Sequence, residues 1–340
     1  MEQAFLTLLQ ELVDLPSPSG DETAALLRLE QELVLRGFQV QRIPVSDGRF
    51  NLLAQAGGPP TVVFCTHVDV VPPHVPFRRS GDVLYGRGVL DAKGIAVSML
   101  AAAERLRSRG ERDFALLYVV GEETTSDGAQ AAARVPLNSR FVVVGEPTEN
   151  HLAAAQKGTL RFVLRTAGKA GHSSQPDAGP SAIHSLIEIV HDLLRTPWPG
   201  DPELGETTLN IGRIGGGEAA NVIAPEAWAE GMFRVATSMA DVEKMLREVV
   251  AGRGRIEPEG GTEPQRFLTL PGFPQTVVSF GSDAGYLRPL GEVLMLGPGS
   301  IRYAHAENEQ VTLEELEQSV ELYERLYCAL REWALESGGS

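Results

Sequence analysis

Hydrophobic and polar positions in the first half of the chain alternate between helical and strand-like spacing. Near the N-terminus, apolar side chains recur every three to four residues and predict an amphipathic helix over 3–14. These side chains are Phe5, Leu8, Leu9, Leu12 and Val13. Further helices are predicted over 21–36, 92–110 and 127–133, and strand-like runs fall at 38–44, 50–56, 61–66, 114–120 and 140–147. Strands that alternate with helices favour a mostly parallel sheet with helices on both faces.

The pattern changes after about residue 157. The run "GTLRFVLRTAG" alternates like a half-exposed strand, and it is followed by predicted helices over 181–195 and 240–251 and by strand-like runs at 207–214, 226–236 and 254–266. This order, β-α-β-β-α-β, is that of a ferredoxin-like α+β domain. The Pro- and Gly-rich stretches "RTPWPGDPELG" and "EPEGGTEP" are typical of a loop and a return linker.

We therefore predict two domains. Residues 157–266 form an inserted α+β domain. Residues 1–156 and 267–340 form a discontinuous α/β domain that ends in a long helix over 312–336.

Composition narrows the class of protein. The chain has 340 residues, of which 43% are hydrophobic and 22% are charged, as in ordinary globular proteins. A formal charge of −15 disfavours nucleic acid as a partner, because phosphate binding needs a basic surface. The N-terminus has no basic signal-peptide region, and no apolar run approaches the roughly 18 residues that would suggest a membrane span. We expect a cytoplasmic protein without a membrane or nucleic-acid partner.

The two cysteines give no sign of a metal site or a disulfide framework. Cys65 lies in the strand-like run "TVVFCTH", and Cys328 lies in the C-terminal helical pattern. Because neither has metal-ligand spacing, both are interpreted as packing residues.

Carboxylates and histidines follow several predicted buried strands. The segments and their polar residues are "VVFCTHVDVVP" with His67 and Asp69, "YGRGVLDAKG" with Asp91, "VVGEE" with Glu122 and Glu123, "FVVVGEP" with Glu146, and "SIRYAHAENE" with His305. Taken alone, Asp91 could cap a helix, and the adjacent glutamates could lie in a solvated loop. Taken together, so many charges at one edge of a sheet would repel each other, and cations would relieve that repulsion.

Two histidines and three carboxylates suit borderline divalent metals, zinc above all. Two ions that share one bridging carboxylate would use all five groups. Paired ions lower the pKa of a bound water and polarise a carbonyl. Two adjacent glutamates would then supply one metal ligand and one proton acceptor for hydrolysis.

Seven segments, in order along the chain, resemble the M20 metallopeptidase and deacylase family. They are "THVDVVP", "YGRGVLDAKG", "GEE", "VVGEPT", "AGKAGHSSQP", "NVI…FR" and "GPGSIRYAH". The resemblance covers nearly the whole chain. The family includes acetylornithine deacetylase, succinyl-diaminopimelate desuccinylase and several carboxypeptidases, so the resemblance implies a zinc-peptidase-like α/β domain with an inserted lid.

The resemblance also implies a ligand set for two zinc ions. His67 and Glu146 would bind one ion, Glu123 and His305 would bind the other, and Asp91 would bridge them. Cobalt and manganese tolerate the same set of ligands.

Three further expectations concern the chemistry at the ions. Asp69 would hydrogen-bond the His67 ring from behind. Glu122 would be the general base and then the acid that protonates the leaving amine. The resemblance also implies that the peptide bond between Asp91 and Ala92 is cis.

The inserted domain would be the family's lid and dimerisation domain. His172, in "GKAGHSSQP", matches a histidine that reaches the active site, usually from the partner subunit of a homodimer, and stabilises the oxyanion. Without the resemblance, His172 would be interpreted as a histidine of a surface loop.

Substrate-binding residues are also implied. Arg234 and Asn221 match positions that hold the substrate's carboxylate, a task that suits a planar guanidinium. The alternative interpretations, which we favour less, are a surface salt bridge and a turn asparagine. Thr159, Gly281 and Ser282 match positions that line the substrate pocket. Gly281 replaces the threonine of desuccinylases, which argues against succinyl-diaminopimelate.

We therefore expect a di-zinc amidohydrolase that acts on a small N-acyl amino acid, with N-acetylornithine as the first candidate. A carboxypeptidase or dipeptidase would use the same ions with a different pocket. A hydrolase that releases lysine or ornithine from an acidic carrier protein is a further alternative, which the negative charge of the chain disfavours. Outside enzymes, a non-catalytic descendant could bind a metal or a small molecule.

Overall fold

The computed structural model of the protein describes residues 2–46 and 48–337. The α-helices are α1 (Gln3–Asp14), α2 (Thr23–Leu35), α3 (Lys93–Ser108), α4 (Asp127–Ala132), α5 (Ala182–Arg195), α6 (Met239–Val250), α7 (Ala284–Leu287) and α8 (Leu313–Ser337). The first nine strands are β1 (Gln39–Pro44), β2 (Phe50–Gln55), β3 (Val62–His67), β4 (Arg78–Ser80), β5 (Val83–Tyr85), β6 (Phe114–Val119), β7 (Phe141–Val144), β8 (Leu152–Gln156) and β9 (Gly158–Ala167). The others are β10 (Gly200–Asp201), β11 (Gly205–Glu206), β12 (Thr208–Gly216), β13 (Glu226–Val235), β14 (Arg255–Thr262), β15 (Gln265–Arg266), β16 (Gln275–Val278), β17 (Glu292–Met295) and β18 (Gln310–Thr312).

The described chain divides into two compact units. The first unit comprises residues 1–154, 267–276 and 282–340, and the second comprises residues 155–266 and 277–281. Each unit has its own hydrophobic core.

A six-stranded sheet forms the centre of the first unit, in the order β1-β2-β6-β3-β7-β17. The pairs β6–β3, β3–β7 and β7–β17 are parallel, whereas β1 and β2 extend the sheet with antiparallel pairs. Every residue of β3, β6 and β7 is buried, which explains why their sequences are almost wholly apolar. The predicted mixed α/β fold with a mostly parallel sheet is confirmed.

Three helices cover the centre of this sheet. α3 packs against α1, α8 and β3. Nearly the whole helix is buried, because its many small residues let the neighbouring elements approach closely. Tyr323 of α8 meets Phe64 of β3 edge to face, with ring centroids 5.7 Å apart. Aromatic pairs of this geometry add to the stability that apolar burial provides.

A small sheet with the order β18-β5-β4 was not predicted. Its strands have only three residues each, which is too short for a recognisable periodic pattern. Gln310 of β18 pairs with Tyr85 of β5, so residues distant in sequence are brought together just before α3 begins.

The second unit contains a four-stranded antiparallel sheet in the order β12-β13-β9-β14. α5 and α6 pack on it, and Phe162 stacks with Phe233 at a centroid separation of 5.6 Å. The element order along the chain, β9-α5-β12-β13-α6-β14, is the β-α-β-β-α-β order that the sequence pattern predicts.

Both cysteines are free thiols. Cys65 is buried in β3, as expected of a packing residue. The same interpretation is wrong for Cys328, which is exposed. The core-facing positions of α8 around it are Tyr323, Leu326, Tyr327 and Leu330, so residue 328 falls on the outer side of the helix.

In the part of the chain that the structure describes, no helix combines the length and the apolar character that a membrane span requires.

Candidate active site

Three neighbouring parallel strands of the first unit bring polar residues to one edge of the central sheet. His67 is the last residue of β3, Glu122 and Glu123 come shortly after β6, and Glu146 comes two residues after β7. Because parallel strands end at the same edge, these residues meet where open α/β sheets place their ligands.

Asp91 lies between two histidines. Its Oδ1 is 3.1 Å from Nε2 of His67, and its Oδ2 is 3.4 Å from Nε2 of His305. The same Nε2 of His305 is 3.0 Å from Oε1 of Glu123. One carboxylate therefore contacts a histidine through each of its two oxygens.

The geometry defines two groups of potential metal ligands that share Asp91. The first ligand group is His67, Asp91 and Glu146, and the second ligand group is Asp91, Glu123 and His305. Within each group the donor atoms lie within 4.8 Å of one another. Among residues 2–46 and 48–337 these are the groups of three or more such donors, and they coincide with the two sets that the resemblance implies.

The separations within the groups suit a tetrahedral ion. Two ligands that are each about 2.0–2.1 Å from a tetrahedral zinc lie about 3.3 Å apart. Three of the donor pairs are separated by 3.0, 3.1 and 3.4 Å, and the other donor atoms of each group lie within 4.8 Å of one another. Their imidazole nitrogens and carboxylate oxygens are donors that zinc, cobalt and manganese all accept. The residues thus fit two divalent ions.

Asp69 holds the loop that follows β6. Its carboxylate accepts hydrogen bonds from the backbone N–H groups of Glu122, at 3.2 Å, and Glu123, at 3.1 Å. Nδ1 of His67 donates to the carbonyl oxygen of Asp69 at 3.0 Å, whereas the nearer carboxylate oxygen is 3.5 Å away. The predicted contact to the ring is therefore made chiefly by the backbone of Asp69. It leaves Nε2 of His67 available as a ligand.

Ser19 supports Asp69 and was not predicted. Its hydroxyl donates to Oδ2 of Asp69 at 2.7 Å. The segment "PSPSG" that contains Ser19 has only turn-forming residues and no chemical motif, so the sequence alone gave no signal for this contact.

Charge pairing raises the pKa values of the two histidines and lowers the pKa of Asp91. The pKa of His305 is raised to about 10, first by its hydrogen bond to Asp91 and then by that to Glu123. Burial opposes the charge on His67, but hydrogen bonds to Asp69 and Asp91 raise its pKa well above the ordinary value. Burial opposes the charge on Asp91, but hydrogen bonds to His305 and then to His67 hold its pKa below the usual range.

The pKa values of two glutamates are raised, in contrast to that of Asp91. Desolvation raises the pKa of Glu122 well above its usual range, and the charge of Glu146 raises it further. Desolvation likewise raises the pKa of Glu146, and Asp91 adds to the shift although His67 opposes it. Crowded carboxylates of this kind are stabilised in their charged form by cations.

The backbone beside two of these residues has special conformations. The peptide bond between Asp91 and Ala92 is cis, as expected. Gly121, directly before Glu122, has a φ of +75°, and a Cβ at this position would lie 2.1 Å from Oδ1 of Asp127. Only glycine fits there without backbone strain and without displacement of the Asp127 side chain.

The second unit brings His172 and Asn221 onto adjoining segments. His172 forms an antiparallel bridge with Val222, and the N–H of Ser173 donates to the carbonyl of Asn221 at 3.1 Å. Nδ1 of His172 accepts hydrogen bonds from the hydroxyl and the N–H of Ser174, at 2.8 and 3.2 Å. The His172 side chain is exposed, with Nδ1 oriented by Ser174.

Three of the predicted substrate-binding residues lie together in the second unit. Arg234 of β13 pairs with Thr159 of β9. A Cβ at Gly281 would lie 3.1 Å from Cγ2 of Thr159 and 3.8 Å from Nη1 of Arg234. Ser282 belongs to the first unit, where its buried hydroxyl accepts a hydrogen bond from the N–H of Ala284 at 3.2 Å.

Comparison with known proteins places this arrangement in a family. The profile described as "Peptidase family M20/M25/M40" matches residues 63–329. A probable carboxypeptidase of Aspergillus fumigatus is 35% identical, over 96% of this chain and 86% of the relative. A peptidase M20 domain-containing protein of Schizosaccharomyces pombe is 34% identical, over 95% of this chain and 84% of the relative.

Solved structures share the fold at low sequence identity. A tripeptidase from Staphylococcus aureus has a TM-score of 0.81 at 19% identity and covers 97% of this chain and 99% of its own. An M20 family metallo-carboxypeptidase from Sulfolobus solfataricus has a TM-score of 0.77 at 17% identity and covers 95% and 98%. A dinuclear metal-binding M20 peptidase from Bacillus subtilis has a TM-score of 0.69 at 14% identity and covers 96% and 98%.

Proposed function

Because this chain belongs to peptidase family M20/M25/M40 and is a metal-dependent hydrolase of amide bonds, we propose that it is a carboxypeptidase or dipeptidase acting on short peptides. The observation that carries this proposal is the pair of ligand groups that share Asp91 and lie beside Glu122. Relatives at 34–35% identity that are named probable carboxypeptidases support a peptide substrate. The expected N-acetylornithine deacetylase activity, with its place in arginine or lysine biosynthesis, is not confirmed.

In this proposal the first ligand group holds one zinc ion and the second ligand group holds another, with cobalt or manganese as substitutes. Asp91, whose two oxygens contact His67 and His305, would be a ligand shared by both ions. The ions, when bound, supply a water that is nucleophilic at neutral pH and polarise the scissile carbonyl. Hydrogen bonds to Asp69 would keep the Glu122–Glu123 backbone and the His67 ring in the positions that metal binding requires.

Glu122 moves the proton. Its desolvated carboxyl has a raised pKa, which suits a group that first accepts a proton from the attacking water and later donates it to the departing amine. His172, with Nδ1 hydrogen-bonded to Ser174, offers Nε2 to the oxyanion of the tetrahedral intermediate.

Arg234 recognises the free carboxylate of the substrate. A planar guanidinium can bind a carboxylate through two parallel hydrogen bonds. Thr159 and Gly281 border Arg234, and the missing side chain at residue 281 leaves room beside the guanidinium. Asn221 and Ser282 complete the proposed set of substrate-binding residues.

The second unit acts as the lid and the dimerisation domain in this proposal. Ile187 and Leu194 of α5 are 55% and 59% exposed, and they lie two helical turns apart, on one side of the helix. A homodimer that covers α5 would remove them from water. Analytical ultracentrifugation tests this point, because a protein that stays monomeric at micromolar concentration would contradict it.

The test of the function is a set of matched substrates, given to the zinc- or cobalt-loaded protein with and without chelator. The set contains dipeptides and tripeptides with a free carboxylate, the same peptides as C-terminal amides, the same peptides N-acetylated, and N-acetylornithine. We expect chelator-sensitive cleavage that requires the free carboxylate.

Other results would redirect the proposal. Cleavage of N-acetylornithine alone would favour the deacetylase. Cleavage of amidated peptides as fast as free ones would exclude recognition of the carboxylate. Full metal loading without any turnover would leave the carrier-linked hydrolase, tested on a lysine-loaded carrier protein, and the non-catalytic binding protein.

A further inference from the structure

Two buried side chains outside the predicted site, Arg87 and Glu309, contact the segments that carry Asp91 and His305. Arg87 lies between β5 and α3, and Glu309 directly precedes β18. Since β18 pairs with β5, the N–H of Gly86 donates to the carbonyl of Glu309 at 3.2 Å. Both side chains are 1% exposed, and Nη1 of Arg87 donates to Oε2 of Glu309 at 2.6 Å.

The carboxylate of Glu309 also holds the backbone that ends at Asp91. Its Oε1 accepts hydrogen bonds from the N–H groups of Gly88 at 2.8 Å, Leu90 at 3.2 Å and Asp91 at 3.2 Å. Together with Arg87, four donors surround this carboxylate. The backbone of Asp91, the residue shared by both ligand groups, is therefore fixed by the side chain of Glu309.

Arg87 reaches the backbone of His305. Its Nη2 donates to the carbonyl of His305 at 3.4 Å, and its Nε donates to the carbonyl of Pro73 at 3.3 Å. His305 has a φ of +64°, a left-handed conformation that residues with a Cβ rarely adopt, and it lies outside any strand or α-helix. Its position depends on such contacts.

The two ligand groups therefore differ in how they are held. In the first ligand group, His67 ends β3 and Glu146 follows β7, so the central sheet places both residues. In the second ligand group, His305 is placed by a loop and by the contact from Arg87. Only Asp91, which Glu309 anchors, is common to both groups.

We propose that Arg87 and Glu309 are positioning residues with separate targets. Glu309 fixes the position of Asp91, which both ligand groups share, whereas Arg87 fixes the position of His305, which belongs only to the second ligand group. This inference rests on the proposed dinuclear site. It predicts that one variant weakens one ion and the other variant weakens both, a pattern that a general loss of stability would not produce.

The first variant is Arg87→Lys. A lysine can keep the ion pair with Glu309, but it cannot contact the carbonyls of His305 and Pro73 at the same time. We expect the affinity for one ion to fall about 10- to 100-fold, the usual effect of losing a contact behind a metal ligand, while the affinity for the other ion is unchanged. The second variant is Glu309→Gln, which removes the negative charge and keeps one acceptor oxygen. Its N–H₂ group must face either Arg87 or the backbone N–H groups of Gly88, Leu90 and Asp91, and we expect it to weaken both ions.

Calorimetric titration of the metal-free full-length protein with zinc gives the readout, and it does not depend on turnover. His305→Ala identifies the ion of the second ligand group. If Arg87 acts through His305, adding Arg87→Lys to His305→Ala should cause no further loss for the remaining ion. Arg28→Lys is the matched control, because Arg28 makes comparable ion pairs with Glu11 and Glu32 on the surface of the first unit.

In kinetic measurements, Arg87→Lys should lower kcat at limiting zinc. The kcat should return to the wild-type value at saturating zinc, and KM should be nearly unchanged. Equal weakening of both ions in Arg87→Lys, or wild-type binding in both variants, would overturn the proposal. Failure of both variants to fold in the presence of zinc would overturn it as well, because the pair would then serve the fold as a whole. A wild-type protein that binds two ions but cleaves no peptide would contradict the proposed function and leave this test intact.

Discussion

Nε2 of His67 and Oδ1 of Asp91 lie 3.1 Å apart, although 24 positions separate the two residues in the chain. The Asp69 carbonyl occupies the other ring nitrogen of His67, so the imidazole can only offer Nε2 to this side. When His67 is protonated, the two residues form an ion pair at this distance, which holds two members of the first ligand group together. Metal binding must therefore replace protons on the histidines.

The first prediction concerns pH. Neutral imidazole binds metal, but the pKa of His305 is raised to about 10 in the metal-free protein, chiefly by Asp91. Zinc binding at pH 7 should therefore release protons, and the apparent affinity should rise as the pH rises toward 10. Titration calorimetry in buffers of different ionisation enthalpy measures this release. An affinity that does not change between pH 6 and 8 would contradict the histidine assignments.

The stability of the metal-free fold depends on pH with the opposite sign to the zinc affinity. The charged form of His305 stabilises the metal-free fold at pH values below its ordinary pKa, and this contribution disappears as the pH rises toward 10. The lowered pKa of Asp91 adds stability above its ordinary value, which is lost in acid. The metal-free protein should thus gain the most from this pair in mildly acidic solution, as thermal unfolding at several pH values would show.

The second prediction concerns the general base. Glu122→Gln removes the proton acceptor but keeps the size of the side chain, so the variant should keep its fold and its two ions. Turnover should fall about 10²- to 10⁴-fold, the usual contribution of a general base. Glu321→Gln makes the same substitution at an exposed position of α8 and serves as the control. Near-wild-type turnover in Glu122→Gln would exclude the assigned role.

The third prediction concerns Asp69. Asp69→Asn replaces one acceptor oxygen by an N–H₂ group that faces either the N–H groups of Glu122 and Glu123 or the hydroxyl of Ser19. Zinc affinity should fall about 10- to 100-fold, because Glu123 loses its backbone anchor. Metal content after dialysis against graded zinc concentrations measures the effect. Asp82→Asn, in the exposed turn between β4 and β5, should retain full affinity.

The fourth prediction compares two glycines with positive φ. A Cβ at Gly121 would meet Asp127 at 2.1 Å and Arg49 at 2.9 Å, whereas a Cβ at Gly110 would have no neighbour within 4 Å. Gly110→Ala should cost about 1 kcal/mol through backbone strain alone. Gly121→Ala should cost at least about 1 kcal/mol more, because overpacking adds to the strain, and it should slow turnover by moving Glu122. Urea unfolding measures both, and equal costs would show that the crowding is relieved without effect.

The fifth prediction concerns recognition of the substrate. Arg234→Ala should raise KM for peptides with a free carboxylate by at least about 10-fold, since a charged hydrogen-bonded contact contributes about 1.5–3 kcal/mol. Peptide amides should be affected much less. Arg213→Ala, at an exposed ion pair with Glu230 on the same sheet, is the matched control. An unchanged KM in Arg234→Ala would place the carboxylate elsewhere.

Much of the site could be predicted because catalytic residues of an α/β fold follow its strands. The apolar runs that end at His67, Glu122 and Glu146 predict buried parallel strands, and parallel strands end at one edge. The ligand set itself came from the resemblance of seven short motifs to a family. The substrate did not follow, since the same ions and the same base hydrolyse acetyl amides and peptide bonds alike.

By itself, the sequence determined the central sheet, the order of the inserted β-α-β-β-α-β elements and the residue types that suit two divalent ions. These features depend on local periodicity and on residue chemistry, which are legible along the chain. The tertiary structure alone decided that Asp91 offers one oxygen to each histidine and that Asp69 acts mainly on the backbone of Glu122 and Glu123. It also decided that Arg87 pairs with Glu309, because the three-residue strands that join them are too short to leave a periodic pattern, and contacts between residues so distant in sequence exist only after the chain has folded.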